Sequence, residues 1–151
     1  MPALARSLPW WPWLGLAMVV ALADLAAAED AAPAFRVIVH PSSDPKSLER
    51  RFLGDVFLKK ATRWPAGDAI LPVDLEAGAR ARREFSENVL GRSVGAVKSY
   101  WQQIIFSGRG LPPPELADDA AVVAYVLAHP GAIGYVSGSG DVRQARVITV
   151  R

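Results

Sequence analysis

The segment Ala128-His129-Pro130-Gly131-Ala132-Ile133-Gly134-Tyr135-Val136 constrains the fold of this chain more than any other. A run of helical character ends at it, Pro-Gly breaks the run, and a strand of small apolar residues begins at once. Gly131 and Gly134 bracket two apolar residues and leave the backbone bare. That predicts a turn into a buried strand, where another backbone or a ligand comes close.

Upstream, the pattern alternates between the two periods. Phe35 to His40 is rich in branched apolar residues and reads as a strand. Ser47 is expected to cap a short helix with Leu48, Phe52 and Val56 on one face, its end weakened by Gly54. Trp64-Pro65-Ala66-Gly67-Asp68 is a turn signal, and Ala69 to Val73 reads as a short strand in which Pro72 demands an edge or irregular position. A helix is predicted over Ala79 to Leu90, buried through Ala81, Phe85 and Val89 and stopped by Gly91. Ser93 caps the next helix, whose Val94, Val97, Tyr100, Trp101, Ile104 and Ile105 fit a 3.6-residue period. Asp118 or Asp119 caps the last helix, Ala120 to His129, and strands follow at Ala132 to Val136 and Ala145 to Val150. Ser137 to Asp141 reads as a hairpin-like loop between them. The order is strand, helix, strand, three helices, two strands, which predicts an α/β domain with helices packed on a small mixed sheet. Trp64, Tyr100, Trp101, Phe106 and Tyr135 suggest a small aromatic cluster.

The start of the chain reads as a leader. Leu14 to Ala23 is an apolar run of signal-peptide length, and Ala26-Ala27-Ala28 offers a small-x-small cleavage site, with Ala21-Leu22-Ala23 as a second. Residues 1–28 are thus expected to be a signal peptide and 29–151 a single exported domain. The alternative is a retained membrane anchor, although the run is short for a bilayer and Asp24 interrupts it.

Composition excludes several chemistries. The chain of 151 residues has no cysteine, so disulfides, thiol nucleophiles and thiolate metal sites are out. Two histidines, His40 and His129, stand far apart without a ligand spacing, so no metal is expected. Net charge is +2 with mixed signs and no long basic run, which is no footprint for nucleic acid. Ser137 and Ser139 lack a GxSxG elbow, and Asp118-Asp119 reads as a helix cap rather than a carboxylate pair. No enzyme, catalytic residue or cofactor is expected.

Several segments, in order, resemble the phosphate-binding proteins of ABC transporters. Phe57-Leu58-Lys59-Lys60 and Arg63-Trp64-Pro65-Ala66-Gly67 are similar to the family's "iFlGk…W.dG". Ile70 to Asp74 resembles the strand "i.pv.r", and Gly78 to Phe85 resembles "GS..R..F". Val89-Leu90-Gly91, the stretch from Tyr100-Trp101 to Phe106-Ser107-Gly108, and Pro130 to Val136 ("pGaIGYv") continue the order. The resemblance covers most of residues 29–151 and about half the length of the two-lobed binders. It implies a type II periplasmic-binding-protein fold reduced to the second lobe with one added N-terminal strand, a periplasmic location, and inorganic phosphate or another small oxyanion as ligand.

The family's anion loop carries an arginine and a Ser-Gly-Thr turn; here the stretch is Asp74-Leu75-Glu76-Ala77-Gly78-Ala79-Arg80. The hydroxyls are replaced, and Asp74 and Glu76 oppose an anion. Gly78, the amides near Ala79 and Arg80, and the charges of Arg80 and Arg82 are the expected anion site. Ser107-Gly108-Arg109 is a second candidate, as a backbone nest with its own cation, and Ser137 and Ser139 are a third. The alternative function is a periplasmic interaction module that keeps the fold without the ligand, binding an envelope protein. A homodimer could rebuild a two-walled crevice.

Overall fold

The computed structural model describes residues 32–151, of which Pro33–Arg151 form one compact unit. The expected leader, 1–28, lies outside the described residues.

β1 (Phe35–Val39) buries Val37, Ile38 and Val39 on both faces, as a branched apolar run does at the centre of a sheet. It is antiparallel to β6 (Ala132–Ser137) on one side and to β7 (Arg146–Val150) on the other. β2 (Ser47–Leu48) adds parallel to β7, and β3 (Leu71–Pro72) adds parallel to β6, giving the order β2-β7-β1-β6-β3. Pro72 thus sits on an edge strand, where its missing N–H costs no ladder bond. β4 (Asp74–Leu75) and β5 (Glu115–Leu116) pair separately in parallel.

Among the described residues there are four helices: α1 (Arg50–Phe57), α2 (Arg80–Asn88), α3 (Val94–Phe106) and α4 (Asp119–Ala128). The alternation of β6 distributes them. A Cβ at Gly134 would lie 2.7 Å from Val122 and 3.5 Å from Val126, so that face of the strand meets α4. The next residue points the other way. Tyr135 stacks on Phe85 of α2, with ring centroids 4.0 Å apart, and packs near Phe57 of α1 and Phe35 of β1. Helices therefore cover both faces of β6, and its five residues from Ala132 to Val136 are all buried.

The glycine junction works as its sequence implies. Gly131 has φ 87°, a left-handed turn, and a Cβ there would lie 2.5 Å from the Ala69 carbonyl oxygen. Gly134 lets the valines of α4 reach the strand. Ser93 caps α3 by accepting the Ala96 N–H at 3.2 Å, and Asp118 caps α4 by accepting the Ala121 N–H at 2.8 Å.

Four expectations need correction. Ser47 does not cap α1: it pairs with Thr149 in β2, and Glu49 takes the N-cap position without a side-chain bond. Ladder bonds to the distant β7 outweigh the local capping preference, and α1 buries Leu53, Gly54, Val56 and Phe57. β6 and β7 do not form a hairpin. Both are antiparallel to the intervening β1, so residues 138–145 must return along its length. The aromatic cluster does not form as one group: Tyr135 joins Phe35, Phe57 and Phe85, Tyr100 and Trp101 pair within α3, and Phe106 is exposed. Of the six apolar positions of α3, only Val97 and Trp101 are buried, because α3 rests on α2 rather than on the sheet.

Candidate anion site at the mouth of two helices

The ends of β4 and β6 and the starts of α2 and α4 converge on a cavity of about 400 Å³. Its lining includes Leu75, Ala79, Arg80, Ala81, Asp118, Asp119 and Ser137. This is the carboxyl end of the parallel β3–β6 pair, the side on which open α/β sheets bind ligands. Helix N-termini point their free amides there.

The two helix ends differ. α4 is satisfied internally: Asp118 caps it, and Asp119 accepts the backbone N–H of Ser137 at 3.1 and 3.2 Å and also takes its hydroxyl hydrogen bond. α2 has Ala79 at its N-cap, with no side-chain cap bond. Its first intrahelical donor is the Arg83 N–H, to the Ala79 oxygen at 3.3 Å. The amides of Arg80, Ala81 and Arg82 are thus without a side-chain acceptor, at the positive end of the helix dipole. Arg80 is 80% exposed at its side chain and holds Glu84 only loosely, at 3.8 Å.

Arg82 behaves differently. It is 4% exposed and does not line the cavity. Its Nη1 pairs with Asp74 Oδ2 and donates to the Leu75 carbonyl at 3.1 Å, and its Nη2 lies 3.7 Å from Glu115. The Tyr135 hydroxyl and the Leu75 N–H, the latter at 3.0 Å, both donate to Asp74 Oδ1. Asp74, which replaces the family arginine in the resemblance, therefore turns inward as the counter-ion of Arg82. Burial pushes the Asp74 carboxyl above the usual carboxylate range, against the pull of Arg82, Tyr135 and the Leu75 amide. The Tyr135 phenol is pushed well above its ordinary value, first by burial and then by the Asp74 carboxylate. Arg82 stays charged: Asp74, Tyr135 and Glu115 raise its pKa against the desolvation that opposes them.

The structure brings Ala79, Arg80 and Ser137 to one cavity. Gly78 is exposed beside it, with open space where a side chain would stand. Ser139 is exposed on the return loop. Ser107, Gly108 and Arg109 are exposed at the end of α3 and do not line this cavity. The partners of Arg82 were missed in the sequence, although Asp74 and Arg82 are opposite charges flanking one turn. Asp119, expected from sequence as a helix cap, instead takes the hydrogen bonds of Ser137. A larger hollow of about 680 Å³ lies at the other end of β6, between the 42–45 and 64–69 loops and Gly131. Asp44 and Asp68 line it, and among the described residues no helix begins there, so it suits an anion less. Among the described residues, no group of three histidine, aspartate or glutamate side chains is placed to hold a metal.

Neither a family model nor a curated protein sequence matches the chain. Solved structures do. An ABC-type phosphate transport receptor from Vibrio cholerae superposes with a TM-score of 0.59 at 19% identity, over 78% of this chain and 46% of that one. A Clostridium perfringens protein solved with bound phosphate gives 0.57 at 19%, over 78% and 44%. PstS from Borrelia burgdorferi gives 0.59 at 9%, over 78% and 47%. The chain spans less than half the length of each of these structures, and at this identity the likeness speaks of fold. The chain has an α/β fold like that of part of these phosphate-transport substrate-binding proteins.

Proposed function

We propose that this protein is an exported, substrate-binding-like domain of the phosphate-transport type, holding a small oxyanion at the mouth of α2 and serving an ABC transporter. The observation that carries this reading is the uncapped N-terminus of α2, open to the cavity beside the exposed Arg80. Amides at a helix start are pre-oriented donors in a partial positive field, and an oxyanion is the group they suit. Gly78 leaves room for approach, Ala79 and Arg80 supply donors, and Arg82 contributes by fixing Asp74 and Leu75 behind them. Asp118 and Asp119 on the opposite wall weaken the site and set its preference. A carboxylate accepts a hydrogen bond only from a ligand that carries a proton, so phosphate is favoured over sulfate. Likeness to a fold solved with bound phosphate supports the same ligand class.

Calorimetry with phosphate and sulfate tests this. Expected is millimolar phosphate binding that Arg80→Ala weakens severalfold, with sulfate weaker still. No heat with millimolar phosphate would sink the assignment.

A second reading rests on the buried pair. Asp74 pairs with the buried Arg82 from within, so this arginine is withdrawn from any external anion. On that reading the fold is kept as a periplasmic interaction module for an envelope protein or a second copy. Pull-down from envelope extract and sedimentation at high concentration separate it from the first: a silent calorimeter with a specific captured partner or a dimer supports it.

A further inference from the structure

Among the described residues, the end of α3 carries the most exposed large apolar side chains. Val97 and Trp101 form the buried face of the helix. Phe106 follows Val97 by nine residues, which places it about 180° round the helix. It is 90% exposed, and Leu111 and Ile105 are 66% and 45% exposed. Core packing gives no reason for a phenylalanine on that side. Phe106 and Leu111 bracket the exposed turn Ser107-Gly108-Arg109-Gly110, where Arg109 Nε donates to Ser107 Oγ at 2.8 Å. Along this stretch of chain the charge has one sign. From Asn88 to Pro114 there is no aspartate or glutamate, while Arg92, Lys98 and Arg109 are all exposed. The next acid, Glu115, lies 3.7 Å from the buried Arg82.

We propose that this tip docks on an anionic phospholipid surface. Phe106 and Leu111 enter the boundary between headgroups and acyl chains, and Arg109, steadied by Ser107, meets lipid phosphate. Apolar side chains without a core, with Arg109 between them and no acid in the same stretch of chain, match that surface in both polarity and charge. A second copy is a poor occupant, because an isologous contact through this tip sets Arg109 against its own copy. The anchoring is peripheral: among the described residues no helix is long and apolar enough to cross a membrane.

The chain has no cysteine, so Leu111→Cys gives one attachment point for an environment-sensitive dye. The full chain is used, and the dye reports position 111 itself, whatever the N-terminal residues do. Vesicles of phosphatidylglycerol and phosphatidylethanolamine should shift the emission to the blue with a severalfold gain. Vesicles of phosphatidylcholine alone should give little. In the same background Arg109→Glu reverses one charge, and at about fivefold per unit of charge it should raise the lipid needed for half the gain by roughly 25-fold. Phe106→Asp should abolish the gain, with circular dichroism confirming the fold of both variants. No change on anionic vesicles would overturn the proposal, as would an equal gain on neutral ones. A gain that follows protein concentration without lipid would assign the tip to a second copy instead. A dye at Ala66→Cys, exposed on a different loop, should stay silent; an equal response there would remove the tip's special role.

Discussion

Arg80 and Arg82 stand two residues apart in the first turn of one helix, and the structure gives them opposite lives. Arg80 extends from the surface beside the cavity, 80% exposed at its side chain. Arg82 is sealed in the interior among Asp74, Tyr135 and the Leu75 carbonyl. Two residues rotate a helical side chain by about 200°, enough to move a guanidinium from solvent to core. The comparison teaches that a basic cluster divides by phase. One arginine is free to meet a ligand, and its neighbour is spent on holding the chain together.

The largest effects should come from breaking the buried side of this contrast. Arg82→Met leaves the buried Asp74 without its counter-ion, Asp74→Leu leaves the buried Arg82 only the more distant Glu115, and each should cost about 3–5 kcal/mol in urea unfolding. The double variant should recover most of that loss, because the desolvation cost disappears with the pair. Strictly additive losses would show that the two residues do not act as a unit.

Tyr135→Phe comes next. It removes one hydrogen bond to a buried carboxylate and should cost about 1.5–3 kcal/mol. It should also change the alkaline limb. The folded phenol is raised above its ordinary value of 10.0, so its contribution is complete below about pH 10 and is lost as pH rises further. Wild type should lose stability more steeply than Tyr135→Phe above that point; parallel curves would contradict the buried placement. At the acid side, the raised Asp74 carboxyl makes the folded state hold its proton more tightly than the unfolded state. Its contribution is therefore complete below the ordinary carboxylate value and declines as pH climbs through the folded one.

Asp118→Ala tests the second helix mouth. Loss of the cap should cost about 1 kcal/mol in thermal unfolding, and removing a carboxylate from the cavity wall should tighten phosphate binding. Weaker phosphate binding would mean that this wall attracts the ligand. The smallest stability effect belongs to Arg80→Ala, within about 0.5 kcal/mol of wild type, because its pair with Glu84 is exposed. Its effect should fall on phosphate affinity, so that the two arginines separate cleanly into a binding residue and a stability residue.

Local signals carried the sequence a long way in this fold. The branched run of β1, the Ser93 and Asp118 caps, the edge position of Pro72 and the Gly131–Gly134 junction all follow from residues within a turn or two of each other. Two-residue strands have no period to detect, and β2, β4 and β5 escaped for that reason. The apparent hairpin failed because β1, a hundred residues earlier in the chain, lies between its two arms. The apolar face of α3 failed because periodicity shows that a helix is amphipathic and leaves open how much neighbour is present to cover it. At the candidate site, the sequence marked the basic cluster and the helix start. It could not show that Tyr135, more than fifty residues away, would meet Asp74 and close one arginine off.

By itself, the sequence determined the helices, the central strands and the tight passage from α4 into β6, because each depends on short-range periodicity, caps and the space a glycine leaves. Only the tertiary structure decided the strand order, the inward turn of Asp74 and the separate fates of Arg80 and Arg82. Those outcomes depend on which distant groups share a desolvated space, and burial and charge pairing there are set by the packing of the whole domain.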